Sequence, residues 1–327
     1  MSFSIVMNFG IIIQFWLILI TIDEIIALSF NQPRFCPNAT WNPLATTFAD
    51  NNTVGHMPFG IFITTDNHIY VPNRNTKRII MWSTMSKNPT KEIPVNSSDI
   101  WTIFVTDEKD IYFDYNSIST IGIHKLSSNL LNDIPIMETC SRCYNIFIDI
   151  RNDIYCSTGT HQVIKKSLNN SLDKIKIIAG IGIAGSAPNM LNHSSGIFVD
   201  TNFDLYVVDY GNNRVQLFRL GQSDGITMAG AGSSKPTIIL NKPTEVILDG
   251  DKYLYIVDYG NKRVVGNGPY GFRCLVGCSQ RGGATADRLS APRQLRFDSF
   301  GNLFVVDNHN NRIQKFTLMT KSCSKYK

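Results

Sequence analysis

The chain has 327 residues, of which 43% are hydrophobic and 17% charged, and its formal net charge is +5. This composition is too apolar and too weakly charged for a disordered chain. The positive charge is spread over short pairs such as Lys77-Arg78 and Lys165-Lys166. Because a nucleic-acid binder concentrates its basic residues, we exclude nucleic acid as a partner.

The N-terminal segment indicates export. Residues 9–22 are almost wholly apolar, and Ala27-x-Ser29 fits a small-residue cleavage site. The apolar run suits a signal peptide better than a full membrane span, so we predict a signal peptide over residues 1–29. Residues 1–10 contain no Lys or Arg, which leaves an uncleaved anchor as the alternative. In both cases the domain is extracellular, either secreted or anchored on the extracellular side of a membrane.

Seven cysteines agree with an oxidising compartment. The spacings of Cys140/Cys143 and of Cys274/Cys278 would also suit two ligands of a zinc site. Such a site needs four ligands, and neither pair is matched by a second pair at ligand spacing. We therefore predict local disulfides, namely Cys274 with Cys278, and Cys143 or Cys140 with Cys156. An odd count leaves at least one cysteine unpaired or intermolecular.

Five Asn-x-Ser/Thr sequons are candidate glycosylation sites. All five lie in segments that we interpret as loops or as the N-terminal tail, where a glycan finds space. They are Asn38, Asn51, Asn96, Asn169 and Asn192.

An internal repeat is the main signal of the sequence. Its clearest copy, residues 196–218, reads Gly-Ile-Phe-Val-Asp, a short gap, then Leu-Tyr-Val-Val-Asp-Tyr-Gly-Asn-Asn-Arg-Val-Gln-Leu-Phe. Related copies occupy residues 246–264 and 295–316, and three weaker copies precede them. The aromatic residue of the second run recurs at spacings of 42, 43, 51, 49 and 49 residues. Its positions are Tyr70, Tyr112, Tyr155, Tyr206, Tyr255 and Phe304. Short β-rich runs at this period are typical of propeller blades.

These blocks resemble NHL repeats over residues 57–317, strongly in the last three copies and weakly in the second and third. The resemblance implies an all-β fold, a six-bladed β-propeller with four-stranded blades. It does not imply one function, because propellers of this kind are similar to protein-binding, RNA-binding, sensor and enzymatic modules alike.

Closure of the ring follows from the chain ends. Only nine residues remain after the third strand of the last copy, so that blade lacks its outer strand. We predict that Leu44 to Phe48, within residues 42–50, supply it and remove the open edge. The N-terminal segment 30–56 therefore carries the closing strand, and residues 57–327 form the six blades. Because Cys36 and Cys323 flank the two segments, we predict a disulfide between them.

Two motifs that suggest chemistry are better explained by the repeat. Residues 180–185 match G-x-G-x-x-G, but no helix follows, and similar glycine runs recur between other copies, so we interpret them as connecting loops. The Asp-x4-Arg spacing recurs as Asp209/Arg214, Asp258/Arg263 and Asp307/Arg312. Repetition once per blade favours a structural pair that holds each turn.

The channel mouth, where the loops entering the innermost strands converge, is the candidate ligand site. Aligned copies place six residues just before these strands: Phe59, Trp101, Tyr144, Ser195, Thr244 and Arg293. Aromatic residues with Arg are typical of recognition sites. The next position adds Asn145 and Glu245. Arg296 stands where other copies have Phe or Ile, and we predict that it pairs with Glu245 because a buried Arg needs a partner.

A metal-dependent enzyme is the competing class. Some propellers similar to NHL proteins resemble the lyase half of peptide-amidating enzymes, whose mouth gathers His ligands, and here only His193 is suitably placed. Lactonase-like propellers gather Glu, Asn and Asp round calcium, which Glu245 and Asn145 match in part. Zinc or calcium is thus the possible cofactor of this alternative, and the leading interpretation has none.

The sequence therefore predicts a non-enzymatic, secreted or cell-surface propeller that binds an extracellular protein, peptide or glycan at the channel mouth. The alternative is a metal-dependent lyase or hydrolase, amidating-lyase-like or lactonase-like, at the same place. No Ser/His/Asp order is recognisable in the sequence, and no catalytic residue is assigned.

Overall fold

Six antiparallel sheets of four strands each form the blades of an all-β propeller. This computed structural model describes residues 29–97, 99–117, 120–127, 133–234 and 237–319. Each blade begins with its innermost strand, and the following strands step outward in sequence order, except that the outermost strand of the last blade comes from the N-terminal side. We call the face at which the innermost strands begin the upper face, and the opposite face the lower face.

The strands occupy the following positions. Blade 1 contains β2 (Phe62–Ile63), β3 (Ile69–Asn73), β4 (Arg78–Trp82) and β5 (Lys91–Pro94). Blade 2 contains β6 (Ile103–Val105), β7 (Ile111–Asn116), β8 (Ile121–Leu126) and β9 (Asp133–Glu138). Blade 3 contains β10 (Cys143–Ile148), β11 (Asp153–Thr158), β12 (Gln162–Ser167) and β13 (Lys176–Ala179).

The later blades follow the same plan. Blade 4 contains β14 (Ser194–Val199), β15 (Leu205–Asp209), β16 (Arg214–Phe218) and β17 (Ile226–Gly230). Blade 5 contains β18 (Glu245–Leu248), β19 (Leu254–Asp258), β20 (Arg263–Gly266) and β21 (Arg273–Val276). Blade 6 contains β22 (Pro292–Phe297), β23 (Leu303–Asp307), β24 (Arg312–Phe316) and, from the N-terminal side, β1 (Thr46–Ala49). One short helix, α1 (Asn51–Val54), follows β1.

Burial explains why the repeat reads as continuous apolar runs rather than alternating ones. Both faces of the second strand of each blade are covered by neighbouring blades, and every residue of β15, β19 and β23 is buried. Such strands are rich in β-branched residues. The outermost strand β13 is exposed over most of its length because it lies at the rim.

The repeated Asp and Arg residues hold the upper turns, as the spacing predicts. The carboxylate of Asp209 accepts a hydrogen bond from Arg214 Nε at 2.7 Å and another from the backbone N–H of Asn192. Asp258 and Asp307 repeat this arrangement in their own blades. The residue before each Arg has a positive φ; it is Asn213 in blade 4 and Asn311 in blade 6, and Asn tolerates this conformation well, whereas blade 5 has Lys262 there. This pattern ties the turn of each blade to the loop entering its innermost strand.

The predicted closing strand is present, slightly shifted to Thr46–Ala49. It pairs antiparallel with β24, with Thr47 opposite Gln314. The Phe48 ring packs on Trp82 of blade 1 and on Phe304 of blade 6, at centroid distances of 5.2 and 5.3 Å. The closing strand therefore links the first and last blades and covers an edge that would otherwise stay unpaired.

The segment before the closing strand runs across the lower face. Phe30 enters the ring formed by Phe104, Phe147 and Phe198, with centroid distances of 6.4, 5.2 and 5.4 Å. The Asn31 side-chain amide donates to the backbone carbonyls of Thr64 and Phe297, and the Trp41 indole donates to Gly301 O at 2.9 Å. Phe30 therefore fills the lower part of the central channel.

The structure contains the local disulfides Cys143–Cys156 and Cys274–Cys278, and Cys140 is free and exposed. Cys36 is disulfide-bonded, whereas Cys323 lies outside the described residues, so its pairing with Cys36 stays a prediction. The predicted signal peptide also lies almost wholly outside them. Within the described ranges, no helix has the length and apolar character of a membrane span.

The sequons differ in accessibility. Four of their asparagines are exposed: Asn38, Asn51, Asn96 and Asn169. Asn51 is the first residue of helix α1 rather than a loop residue. Asn192 is only partly exposed, and its amide packs so closely on Gly211 that a Cβ there would lie 2.6 Å from the amide carbon. Glycosylation at all five positions stays a prediction, and Asn192 is the least accessible of them.

Candidate functional site

A cavity of about 220 Å³ opens at the upper end of the central channel. Its lining comes from all six blades, because each blade contributes residues at or near the start of its innermost strand. The lining residues are Phe59, Trp101, Tyr144, His193, Ser194, Ser195, Tyr210, Thr244, Arg293 and Gln294. This set defines the channel mouth. All six positions that the aligned copies placed before the innermost strands belong to it.

One wall of the mouth is aromatic, and its ring positions are fixed by charged neighbours. Phe59 and Trp101 stack with ring centroids 4.3 Å apart and planes inclined by 13°. The Arg142 guanidinium covers Trp101 at 4.4 Å, and the indole N–H donates to the Asp99 carboxylate at 2.9 Å. Such cation–π and hydrogen-bonding contacts hold a ring in place without filling the cavity.

The charges behind this wall are balanced. Asp99 pairs with Arg142 at 2.8 Å and also with Arg74. Burial opposes ionisation of Asp99, but the Trp101 hydrogen bond and the two arginines lower its pKa. Asp114 is completely buried 3.4 Å from Arg142, and burial raises the pKa of Asp114 to about 7. Both arginines on this side therefore have carboxylate partners.

The opposite wall is polar. Ser195 Oγ donates to Thr244 O at 2.9 Å, and Thr244 Oγ1 donates to Arg293 O at 2.8 Å. Since each hydroxyl has one hydrogen and it is already donated, these oxygens face a ligand as acceptors. The third element of this wall is the Arg293 guanidinium, which lies 4.9 Å from the Phe59 ring centroid and 4.5 Å from that of Tyr259.

Three of the predicted ligand residues do not line the mouth. Asn145 and Glu245 lie one residue further along their strands and are 1% and 0% exposed. The Asn145 amide donates to Glu245 Oε2 at 2.9 Å, and the Arg296 guanidinium lies 3.3 Å from the same oxygen. The predicted Glu245 to Arg296 pair therefore forms. It is placed below the mouth because successive side chains of a strand point to opposite sides.

Arg296 belongs to the lower part of the channel. It borders the small cavity beside Phe30, together with Phe62, Phe104, Phe147 and Phe198. The structure thus separates the seven predicted residues into two groups. Phe59, Trp101, Tyr144 and Arg293 meet at the mouth, and Asn145, Glu245 and Arg296 form a buried polar cluster beneath it. Burial raises the pKa of Glu245 to about 7 despite the neighbouring Arg296.

His193 is exposed at the rim of the mouth, next to His161. The two rings are 4.9 Å apart, and the His193 backbone N–H donates to His161 Nδ1 at 3.0 Å. Among the residues that the structure describes, no three His, Cys, Asp or Glu side chains gather as a metal site would require. Two histidines are fewer than the three protein ligands of a typical catalytic zinc site. Beside Glu245, the Arg296 guanidinium occupies the position that a calcium ion would need.

The alignment of the repeat copies missed Tyr210 and Tyr259, and Gln294, which it placed one position after Arg293, was not assigned to the site. Tyr210 and Tyr259 directly follow the repeated Asp of blades 4 and 5, Asp209 and Asp258. They begin short 3₁₀ turns on the upper face. The signal was present in the repeat itself: the turn that follows the second strand reaches the same face as the start of the first. Gln294 directly follows Arg293, and its side-chain oxygen accepts the Ile61 backbone N–H at 3.0 Å.

Comparison with known proteins defines the fold but no family. No family model matches the chain, and no curated protein sequence is similar to it. A protein of unknown function from Bacteroides thetaiotaomicron superposes with a TM-score of 0.68 at 12% identity, covering 88% of this chain and 84% of the other. These values show a shared propeller fold.

Two further structures carry named activities. An auxiliary nutrient binding protein from Bacteroides thetaiotaomicron has a TM-score of 0.62 at 13% identity, covering 89% of this chain and 75% of that protein. Virginiamycin B lyase from Staphylococcus aureus has a TM-score of 0.58 at 12% identity, covering 84% and 99%. At this identity the likeness concerns the fold alone.

Proposed function

We propose that this chain is a secreted or cell-surface propeller scaffold of NHL-like repeats that binds an extracellular protein, peptide or glycan at the channel mouth. The observation that carries the proposal is the lining of the mouth. A cavity of about 220 Å³ has an aromatic wall that is held rigid by stacking and a polar wall with hydroxyl acceptors and Arg293. Pre-positioned aromatic and Arg groups are the usual anchors of recognition.

Export supports an extracellular partner. The two local disulfides fit an oxidising compartment, and the apolar N-terminal segment and five sequons point the same way. Phe30 lies directly after the predicted cleavage site and fills the lower channel. Cleavage at that site would therefore leave Phe30 in the mature chain. The similarity in fold to a nutrient binding protein agrees with a binding role.

A capture experiment tests the proposal. The disulfide-intact domain is immobilised and incubated with extracellular fluid, beside a Trp101→Ala/Arg293→Met variant. A Leu172→Ala/Arg219→Met variant is the matched control, because both side chains are exposed and neither lines the mouth. We expect the wild type and the control to retain the same partner and the mouth variant to lose it. Equal capture by all three, with unchanged circular dichroism, would place the binding surface elsewhere.

The competing hypothesis is a metal-dependent lyase or hydrolase. The observation in its favour is the pair of histidines at the rim, His161 and His193. Metal analysis of the purified protein separates the two hypotheses. Stoichiometric zinc that is lost in His193→Ala would support the enzyme, and a metal content far below one equivalent would support the scaffold.

A further inference from the structure

Arg293 differs from the other arginines around the channel. Arg74 and Arg142 pair with Asp99, and Arg296 pairs with Glu245. The ion pairs among the described residues include no carboxylate for Arg293, and its Nε is buried without a hydrogen-bond partner. Burial lowers the pKa of its guanidinium, which nevertheless stays protonated. Within the part of the chain that the structure describes, no carboxylate therefore neutralises the charge of Arg293 at the mouth.

Aromatic rings pack on this guanidinium, and its N–H groups donate no side-chain hydrogen bond to a residue that the structure describes. The ring centroids of Phe59 and Tyr259 lie 4.9 and 4.5 Å from its central carbon. Phe59 stacks in turn on Trp101, and Trp101 is covered by Arg142. The N–H groups of a guanidinium lie in its plane, and their fork matches the two oxygens of a carboxylate. A carboxylate ligand would thus meet a donor pair that is already positioned.

The rest of the mouth suits the two groups next to a C-terminal carboxylate in a peptide, the backbone N–H and the side chain of the last residue. Ser195 and Thr244 present hydroxyl oxygens as acceptors, which suits a backbone N–H. Tyr144 and Trp101 form the apolar wall on the other side, which suits an apolar side chain. The floor is closed, since Asn145 and Glu245 beneath it are 1% and 0% exposed. A blind cavity of about 220 Å³ takes the end of a chain rather than its middle.

We propose that the channel mouth binds the free C-terminal carboxylate of a peptide or protein whose last residue has an apolar side chain, with Arg293 as the carboxylate receptor. This inference rests on the proposed function, because it assigns a ligand class to the same mouth. It predicts that the charge of the terminal group, and not only its shape, determines binding.

Calorimetric titration of the disulfide-intact chain tests this inference. The probes are acetyl-Gly-Gly-Leu with a free carboxylate, the same peptide with a C-terminal amide, acetyl-Gly-Gly-Gly, and glucuronate. We expect the free Leu peptide to bind about tenfold or more tightly than its amide, the lower range for charge-assisted hydrogen bonds. The Gly peptide is expected to bind more weakly than the Leu peptide because it lacks the apolar side chain.

Variants assign the effect to Arg293. Arg293→Met should reduce binding of the free peptide to the level of the amide and leave the amide unaffected. Arg219→Met, on the lower face, should change neither. Arg293→Lys should restore part of the difference, since Lys keeps the charge but not the fork. Thermal unfolding of each variant verifies that the fold is intact.

The outcomes also separate this inference from the proposed function. Equal binding of acid and amide, lost in Trp101→Ala, would overturn the carboxylate inference and retain the mouth as a binding site. Arg293-dependent binding of glucuronate without binding of the peptides would overturn the peptide assignment in favour of an acidic sugar. Absence of binding by every probe would overturn the carboxylate inference, and the capture experiment would then decide the proposed function alone.

Discussion

The guanidinium of Arg296 lies 3.3 Å from a carboxylate oxygen of Glu245, and these two side chains form a buried ion pair beneath the channel mouth. The Glu245 side chain is fully buried, and that of Arg296 is 12% exposed. Four of the five equivalent positions in other blades hold Phe, so this pair is a polar element in an otherwise apolar ring. Removing one partner of such a pair leaves an uncompensated charge in the interior.

The variant Arg296→Phe is therefore expected to destabilise the protein although Phe fits the ring. At pH 8 we expect a loss of about 3 kcal/mol or more in the free energy of unfolding, measured by chemical denaturation. The double variant Arg296→Phe/Glu245→Leu should recover most of this loss because no charge stays buried. If the single variant were as stable as the wild type at pH 8, the pair would have no structural role.

Glu245 also predicts how stability depends on pH. Burial raises its pKa from 4.5 to about 7, so the folded state holds a proton that the unfolded state releases at lower pH. Stability from this group is fully present below pH 4.5 and is lost as the pH rises to about 7, by at most ~3 kcal/mol. The melting temperature of Glu245→Gln should fall less than that of the wild type between pH 5 and pH 8. Identical pH profiles would contradict the raised pKa.

The upper turn of blade 5 depends on a buried carboxylate. Asp258 accepts hydrogen bonds from Arg263 Nε, Asn261 Nδ2 and the Asn241 backbone N–H, at 2.8, 2.8 and 2.7 Å. Asp258→Ala leaves these donors without their acceptor, and we expect it to lower the free energy of unfolding by about 3 kcal/mol. Asp224→Ala, at an exposed aspartate, is the matched control and should have little effect. A loss in Asp258→Ala no larger than in the control would show that the turn holds without the pair.

Ring closure depends on Phe48, which contacts Trp82 of blade 1 and Phe304 of blade 6. Because this ring is half-buried, we expect Phe48→Ala to cost about 2 kcal/mol, less than a fully buried Phe. Leu44→Ala, at a side chain that is 60% exposed, should leave the free energy of unfolding unchanged. Hydrogen exchange should also accelerate in β24, the partner of the closing strand. Unchanged exchange there would contradict the closing role.

Much of this architecture could be predicted from the repeat. The period of the aromatic residue predicted six blades, including those whose copies lack the Asp-x4-Arg motif. This residue recurs because the second strand of each blade is buried on both faces. The same alignment placed Phe59, Trp101, Tyr144 and Arg293 at one opening. Local sequence spacing was enough to predict the Cys274–Cys278 disulfide, which closes a short loop.

Other features depend on contacts that no local pattern encodes. Phe30 fills the channel only because the N-terminal segment crosses the lower face, and nothing near it in sequence specifies that path. The burial of Asn145 and Glu245 follows from the pleat, which turns their side chains away from the mouth although they adjoin mouth residues. Arg293 was predicted as a lining residue, but its lack of a carboxylate partner becomes visible only when the surrounding charges are placed.

Photo-crosslinking at the channel mouth tests the central claim, that this opening binds an extracellular partner. A photoreactive phenylalanine derivative is placed at Tyr144 in the mouth or at Phe300, which is 60% exposed in a lower-face turn. Both proteins are irradiated in extracellular fluid and analysed by mass spectrometry. We predict one partner crosslinked at position 144, suppressed by Arg293→Met, and none at position 300. Crosslinking of the partner at position 300 alone would contradict the claim.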